Sequence, residues 1–332
     1  MANVVAHFKT NDTVEGYRVL SELGQGAASV VYLVQDPKSK QIWALKHVHR
    51  ETEKDDRFLQ QTVDEAEVGQ KLDHPNIRKI VRLIKKTKGF FTLTDVFLVM
   101  EYLDGPSMDR KQPRTFDEAL EIYQQTACGL RHMHDKGFVH ADMKPNNIVV
   151  MPGPVAKVID LGQSCKSGTI KPRIQGTPDY IAPEQVHRRE ITPRTDVYNL
   201  GAAMYFTFTG KTIPTALAKA DSLVSRIDDS LMAKPTPANK MNPKIPERLN
   251  ELIMHCVEVD PDHRPQSMEI VASRLQLILG TLRAKVDPAA AAETARINSD
   301  SNGGMIHRAG QSGADMKLPE PTVRSASTDD ND

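Results

Sequence analysis

Four polar side chains of different chemistry stand within the octapeptide HADMKPNN, which spans residues 140–147. It offers the imidazole of His140, the carboxylate of Asp142, the ammonium of Lys144 and the amide of Asn147. Pro145 prevents this stretch from forming the interior of a helix. A carboxylate beside a hydroxyl group orients it and accepts its proton, and an ammonium neutralises the oxygens of a transferring phosphoryl group. The octapeptide therefore predicts a catalytic loop.

A further carboxylate, Asp160, stands in the run VIDLG, thirteen residues beyond Asn147. The apolar runs IVVM (148–151) and AKVI (156–159) between them predict the two strands of a hairpin. Asn147 and Asp160 then bracket that hairpin and face the same space. Amide and carboxylate oxygens are hard ligands of the kind that Mg²⁺ accepts together with nucleotide phosphates.

A glycine pair, Gly24 and Gly26 in LGQGAASVVY, lies between two predicted strands. An ordinary hairpin turn is one reading, because glycine often marks turns. A flap that covers a phosphate is the other reading. The strand–turn–strand context argues against a dinucleotide-binding fingerprint, which requires a helix directly after the glycines.

Lys46 follows three apolar residues in the run WALKHV. Buried lysines are rare unless they are paired, so a lysine in such a strand predicts an acidic partner. Glu65, on the next predicted helix, is the candidate. A solvent-facing lysine on an edge strand is the alternative reading.

The surrounding elements divide into a strand-rich part and a helical part. Short β-branched and aromatic runs between residues 17 and 102 predict an antiparallel meander, interrupted by one helix from Asp56 to Leu72. A helix follows the capping box of Thr115 and Glu118 and ends before Gly137. Further helices are predicted over residues 196–209 and, as a pair, within 247–282.

Composition excludes several classes of protein. The 332 residues carry 43 basic and 43 acidic side chains, so the formal net charge is zero, which argues against nucleic acid as a partner. The apolar stretch of residues 200–210 is much shorter than the roughly 20 residues of a membrane span. Three widely spaced cysteines suit reduced thiols better than a disulfide framework. The sequence predicts a soluble, cytoplasmic protein.

The order and spacing of LGQGAASVV, Lys46, HADMKPNN, DLG (160–162) and GTPDYIAPE (176–184) resemble the signature set of protein kinases. The resemblance is to the eukaryotic-type Ser/Thr protein kinase family and covers roughly residues 14–285. It implies an α+β, bilobal fold with a small antiparallel β-rich lobe that carries one helix, and a larger, mainly helical lobe. The implied segments are an N-terminal extension (1–16), the small lobe and hinge (17–104), the larger lobe (105–285) and a disordered tail (286–332).

The resemblance implies that Lys46, paired with Glu65, holds the α and β phosphates of ATP. Glu65 is preferred to Glu67 because it lies nine residues before His74, as the family's helix glutamate does. Met100 corresponds to the gatekeeper. The residues implied to bind the nucleotide are Leu23, Gly24, Gln25, Gly26, Ala27, Ala28, Ser29, Val31, Ala44, Lys46, Met100, Glu101, Leu103 and Val149.

By the same resemblance, Asp142 is the catalytic aspartate, Lys144 contacts the γ-phosphate, and Asn147 and Asp160 are ligands of Mg²⁺. The lysine and proline of the DMKPNN run match the loop of Ser/Thr kinases, and Thr177 supports the same choice. Protein substrates with Ser or Thr acceptors are therefore implied.

Two structural roles are also carried over. Asp196 resembles the buried acid that binds the backbone of the catalytic loop, and Glu184 with Arg264 resembles an ion pair of the larger lobe.

Four departures from the family pattern stand out. Ala141 replaces the arginine that clamps a phosphorylated activation segment, which puts control by that phosphorylation in doubt. Leu161 replaces phenylalanine, and Ser29 replaces the third glycine of the loop. Gly69 stands where the family packs a large apolar side chain, so we expect a gap there and a mobile helix that a homodimer contact or an activating partner would steady.

Two other functions are compatible with parts of this pattern. A pseudokinase of the same fold would bind nucleotides or partners without transfer, but such proteins lack the lysine or one of the two aspartates that are present here. A small-molecule kinase of related architecture is disfavoured by GTPDYIAPE, which in the family forms a platform for a peptide substrate.

Overall fold

A computed structural model describes residues 8–26, 28–89, 92–153, 155–214 and 234–286 of the chain. The strands are β1 (Thr13–Val14), β2 (Tyr17–Gln25), β3 (Ser29–Gln35), β4 (Ile42–His49), β5 (Ile80–Lys88), β6 (Thr92–Glu101), β7 (Phe138–Val139), β8 (Ile148–Met151), β9 (Val155–Val158) and β10 (Cys165–Lys166). The α-helices are α1 (Asp56–Gly69), α2 (Phe116–Asp135), α3 (Pro183–Val186), α4 (Pro193–Thr209), α5 (Ala238–Met241), α6 (Glu247–Cys256) and α7 (Met268–Val286). The predicted tail beyond residue 286 lies outside the described residues.

The smaller lobe is built on one six-stranded antiparallel sheet with the order β1-β2-β3-β4-β6-β5. Strand β4 lies between β3 and β6, and its Lys46 pairs in register with Val31 on one side and Leu98 on the other. Side chains alternate along a strand, so Ala44 and Lys46 point to the face opposite that of Leu45 and His47. The predicted antiparallel meander is confirmed.

The sheet begins earlier than Tyr17, within the predicted N-terminal extension. Strand β1 pairs with β2 through Val14 and Tyr17. The Phe8 ring packs against the rings of Tyr32 and His47, at centroid distances of 5.6 and 5.2 Å. Residues 8–16 thus add apolar contacts to the outer face of the sheet.

The helix of the small lobe, α1, ends at Gly69, three residues before the predicted end at Leu72. The backbone N–H of Leu72 donates to the carbonyl of Gly69 at 3.1 Å, which is the tighter bonding of a 3₁₀ turn. The gap predicted at Gly69 is absent, because a Cβ atom added there would lie 2.3 Å from Cδ1 of Ile80. Ile80 of β5 fills the space, so this position gives no structural argument for an activating partner.

The larger lobe is organised around α2 and α4. Thr115 caps α2 by accepting a hydrogen bond from the Glu118 N–H at 3.1 Å, and Gly137 follows the helix with a φ of +79°. The Glu118 carboxylate accepts from the Arg114 N–H at 2.8 Å, one residue further out than the expected capping box. Helix α4 begins at Pro193, three residues before the predicted start.

A buried ion pair joins α3 to the loop before α7. Both oxygens of Glu184 accept from the guanidinium of Arg264, at 2.8 and 2.9 Å, and the side chains are 4% and 0% exposed. Three carbonyl groups accept the remaining Arg264 hydrogen bonds, those of Arg194, Glu258 and Val259. The predicted ion pair is confirmed.

No helix in the described part of the chain is long and apolar enough to cross a membrane.

Candidate active site

A cavity of about 820 Å³ lies between the two lobes, and most of the residues predicted to bind a nucleotide line it. The predicted residues that line it are Leu23, Gly24, Gln25, Gly26, Ser29, Val31, Ala44, Lys46, Glu65, Met100, Leu103, Val149 and Asp160. The β2–β3 hairpin covers it, and this turn is closed by a hydrogen bond from the Gly26 N–H to the Ser29 carbonyl at 2.7 Å. Ala28 is buried in the same loop, and Ala27 lies outside the described residues.

Lys46 and Glu65 form the ion pair that the sequence predicts. The Lys46 ammonium donates to the Glu65 carboxylate at 2.7 Å, and Glu65 is 4% exposed. Burial acts to lower the pKa of Lys46, but the carboxylates of Glu65 and Asp160 outweigh it and raise that pKa above its usual value. The lysine is therefore held as a cation that faces the cavity.

The carboxylate of Asp142 is bound on both oxygens. Lys144 donates to Oδ2 at 2.9 Å, while the backbone N–H and the hydroxyl of Thr177 donate to Oδ1 at 3.0 and 2.9 Å. The Lys144 ammonium also donates to the Thr177 hydroxyl at 2.6 Å. These contacts join the catalytic loop to the GTPDYIAPE segment and fix the direction of the carboxylate.

The β8–β9 hairpin brings Asn147 and the Asp160 segment together, as predicted. Ile148 of β8 pairs with Val158 of β9, and the Ile159 N–H donates to the Asn147 carbonyl at 3.0 Å. The Asn147 amide nitrogen donates to the Asp142 carbonyl at 2.8 Å, which leaves its amide oxygen for another partner. Asp160 has a left-handed φ of +62° and is exposed to the cavity.

Asp196 binds the backbone of the catalytic loop through both of its carboxylate oxygens. It is fully buried, and its two oxygens accept from the backbone N–H groups of His140 and Ala141 at 2.9 and 2.8 Å. Burial acts to raise the pKa of Asp196, but hydrogen bonds and the nearby imidazoles, led by His134 at 2.7 Å, hold it below the usual value. The role predicted for Asp196 in binding the loop backbone is confirmed.

Ala141 lies in the catalytic loop with a left-handed backbone conformation. It is fully buried with a φ of +62°, and its carbonyl accepts from the Gln185 amide at 2.8 Å. Position 141 therefore offers no guanidinium to the activation segment, which lies between DLG (160–162) and GTPDYIAPE (176–184). Instead Lys171 of that segment is buried and donates to the Gln163 carbonyl at 2.5 Å.

Glu101, at the end of β6, and Leu103, just beyond it, differ in how they face the cavity. The Glu101 side chain points away from the cavity and pairs with Lys157 at 2.8 Å. Leu103 lines the cavity, and its backbone N–H has no hydrogen-bond partner in the part of the chain that the structure describes. That N–H is free to bind a ligand.

Comparison with known sequences identifies the family. Residues 17–275 match the protein kinase domain model. The chain belongs to the protein kinase family. Relatives of this kinase domain include the Ser/Thr-protein kinase PrkC of Bacillus subtilis, which is 30% identical over 261 residues, covering 76% of this chain and 39% of PrkC.

Two more relatives show how widely the match extends. A probable Ser/Thr-protein kinase of Clostridium acetobutylicum is 28% identical over 267 residues, covering 78% of this chain and 39% of that protein. Sperm motility kinase 2B of Mus musculus is 29% identical over 262 residues, covering 77% and 50% of the two chains. The chain spans about two fifths of the length of these two bacterial relatives.

Sequence reasoning did not identify three polar residues of the kinase site. His134 binds Asp196, Gln185 binds the Ala141 carbonyl, and Arg78 lines the cavity. The signal for His134 and Gln185 was weak, because each acts across a long sequence separation. Arg78 lies outside the motifs that carry the family resemblance, so no pattern indicated it.

Proposed function

We propose that this chain is an ATP-dependent protein kinase that transfers the γ-phosphoryl group to Ser or Thr hydroxyls of protein substrates. The observation that carries the proposal is the Asp142 carboxylate, which Lys144 and Thr177 hold in the catalytic loop next to the cavity that contains Lys46 and Asp160. Bacterial relatives named as Ser/Thr-protein kinases support the same activity.

In this proposal the nucleotide occupies the cavity between the lobes. Val31, Ala44 and Val149 enclose the faces of the adenine, while the free N–H of Leu103 binds its edge. The Lys46 ammonium, kept charged by Glu65, binds the α and β phosphates. The glycines of the β2–β3 hairpin cover the phosphates.

The donor set of Asn147 and Asp160 fits Mg²⁺, because both residues offer oxygen atoms and the Asn147 amide nitrogen is already bound to the Asp142 carbonyl. When bound, Mg²⁺ neutralises charge on the phosphate oxygens. Asn147 and Asp160 also fix the approach of the nucleotide to the catalytic loop.

The transfer forms a bond between the acceptor oxygen and the γ-phosphorus and breaks the bond to the β-phosphate oxygen. Asp142 orients the acceptor hydroxyl and accepts its proton, and Lys144 stabilises the negative charge of the transferring group. The backbone N–H and the hydroxyl of Thr177 both donate to Oδ1 of Asp142 and keep its carboxylate in one orientation.

The test is transfer of label from γ-³²P-ATP to a basic protein in the presence of Mg²⁺. We expect the wild type to label Ser or Thr side chains, and Asp142→Asn to lower the rate by about 10²–10⁴-fold while the melting temperature stays close to that of the wild type. Equal labelling by the two proteins would contradict the assignment of Asp142. No labelling by the wild type, despite nucleotide binding, would favour the pseudokinase.

A further inference from the structure

Arg78 is one of the residues that line the cavity between the two lobes. It lies two residues before β5, and its backbone N–H donates to the Val158 carbonyl at 2.9 Å. Its side chain lines the cavity together with Lys46, Glu65 and Met100. A second cation, besides Lys46, therefore faces the same space.

The guanidinium of Arg78 is poorly satisfied by the protein. Nη1 donates to the sulfur of Met100 at 3.4 Å, and a thioether is a weak acceptor. Nε is buried and has no hydrogen-bond partner. No carboxylate forms an ion pair with Arg78 among the described residues.

Two of the three carboxylates whose charges act on Arg78 already form ion pairs with lysines. Glu65 binds Lys46 at 2.7 Å, and Glu101 binds Lys157 at 2.8 Å. Burial lowers the pKa of Arg78, while the charges of Glu65, Glu101 and Asp160 oppose that shift. A buried guanidinium remains charged and carries five donors, so the unmet donors are costly unless a ligand supplies acceptors.

We propose that Arg78 is a specificity-determining residue that donates hydrogen bonds to the base of the bound nucleotide and favours a purine with an oxygen at position 6. This inference rests on the proposed function, which places a nucleotide in the cavity. When the base accepts a hydrogen bond from the Leu103 N–H, through N1 of adenine or through O6 of guanine, its adjacent Hoogsteen edge faces Met100 and Arg78, which contact each other and line the same cavity.

The two purines differ in what that edge offers to an arginine. Guanine presents two acceptors, N7 and O6, which match the fork of the guanidinium. Adenine presents one acceptor, N7, and a 6-amino donor that arginine cannot bind. Arg78 therefore makes guanine nucleotides effective competitors of adenine nucleotides, and this kinase uses GTP as well as ATP.

The binding test compares ADP with GDP by titration calorimetry in the presence of Mg²⁺. We expect GDP to bind the wild type with a Kd within about tenfold of that for ADP, and Arg78→Leu to weaken GDP binding by about 5- to 100-fold with a smaller change for ADP. Arg82→Leu, an exposed position four residues further on in β5, is the control and should change neither Kd. Arg78→Lys keeps the charge but loses the fork, and should give an intermediate GDP affinity.

Two results of these titrations would overturn the role of Arg78. An unchanged ratio of the two Kd values in Arg78→Leu and Arg78→Lys would overturn it. Equal weakening of ADP and GDP would overturn it as well, because it would assign Arg78 to the phosphates instead. If the wild type binds both nucleotides but transfers no phosphoryl group from either, the proposed activity is contradicted, while the Kd ratio still decides the role of Arg78.

Discussion

Asp142 keeps one orientation because Lys144 binds one of its oxygens and Thr177 binds the other. A carboxylate in solution rotates freely and must be ordered before it can accept a proton from a defined hydroxyl. In this loop the ordering is present before any substrate arrives, and in the proposed transfer such ordering lowers the entropic part of the barrier. Thr177 contributes through both its backbone and its hydroxyl, and only the second contribution can be removed by mutation.

Thr177→Val removes the hydroxyl that donates to Asp142 and accepts from Lys144, while it keeps the size of the side chain. A hydrogen bond to a charged group contributes about 1.5–3 kcal/mol. We expect kcat to fall by about 10- to 100-fold in steady-state kinetics, with little change in the KM for ATP. Thr177→Ser is the matched control and should keep most of the activity, so equal kcat values for Val and Ser would contradict this role.

At the residue scale, the sequence predicts the residues that act through their type and their order. The ion pair of Lys46 with Glu65 followed from the rarity of unpaired buried lysines, and the bracketing of a hairpin by Asn147 and Asp160 followed from two strand-like runs. The contact of His134 with Asp196 joins residues 62 positions apart, so no local pattern indicates it. Such contacts arise only when α2 and α4 pack together.

At the scale of one element, Gly69 shows why a position can be misread from family resemblance. A small residue at a core position predicts a gap only if its neighbours are unchanged. Ile80 of the adjacent strand occupies the space, and its Cδ1 and Cγ1 atoms would lie 2.3 and 2.7 Å from a Cβ at Gly69. The glycine and the isoleucine are therefore one packing unit that joins α1 to β5.

Gly69→Ala should destabilise the protein although alanine is the better helix former by about 1 kcal/mol. Overpacking against Ile80 is expected to lower the free energy of unfolding by about 1–3 kcal/mol, as measured by urea denaturation. Gly69→Leu should also give no gain in activity. The double variant Gly69→Ala/Ile80→Ala should be more stable than the sum of the single changes predicts, with a coupling of about 0.5–3 kcal/mol. Strict additivity would show that the two side chains do not compete for space.

The buried pair of Glu184 and Arg264 connects α3 to the loop before α7 and leaves an unpaired charge when one partner is removed. Glu184→Ala should therefore lower the free energy of unfolding by about 3–5 kcal/mol. The matched control is Asp135→Ala, which breaks the exposed pair of Asp135 with Arg131 at 3.8 Å and should cost less than about 1 kcal/mol. Similar losses in the two variants would mean that burial does not set the contribution of the pair.

For the whole molecule, the arrangement of lobes followed from the change from strand-like to helical periodicity along the chain. Element boundaries were less well predicted, since α1 ends three residues early and α4 starts three residues early for reasons of local hydrogen bonding. The packing of Phe8 on the outer face of the sheet was also missed. A single aromatic residue before the first strand gives no periodic signal, and its contacts depend on the face that β4 and β6 present.

That outer face gives global stability a dependence on pH. His47 is buried, stacks on Phe97 and binds Asp95 at 2.9 Å. Burial lowers the pKa of His47 below 6.5, although the carboxylates of Asp95 and Glu15 act against it. The unfolded chain thus binds the proton more readily than the folded chain, so the stability present above pH 6.5 is lost as the pH falls from 6.5 towards the folded pKa.

His47→Gln keeps a side-chain amide for Asp95 but does not titrate. Between about pH 7.5 and about pH 5.5, we expect the free energy of unfolding to fall less in this variant than in the wild type, by at most about 1.4 kcal/mol per pH unit. Asp95, whose pKa is also lowered despite burial, loses its contribution only at a lower pH, below 3.8. Urea denaturation at the two pH values measures the difference, and parallel losses in both proteins would remove His47 as the cause.

In the proposed reaction both lobes act together to transfer a phosphoryl group to a hydroxyl of a protein, so catalysis is a property of the whole molecule. Mass spectrometry of a basic protein incubated with Mg-ATP and the purified chain tests this most directly, with Asp142→Asn as the paired sample. The account predicts phosphoserine or phosphothreonine with the wild type and a loss of about 10²–10⁴-fold with the variant. Phosphorylated peptides in equal amount from both proteins, or in neither, would contradict it.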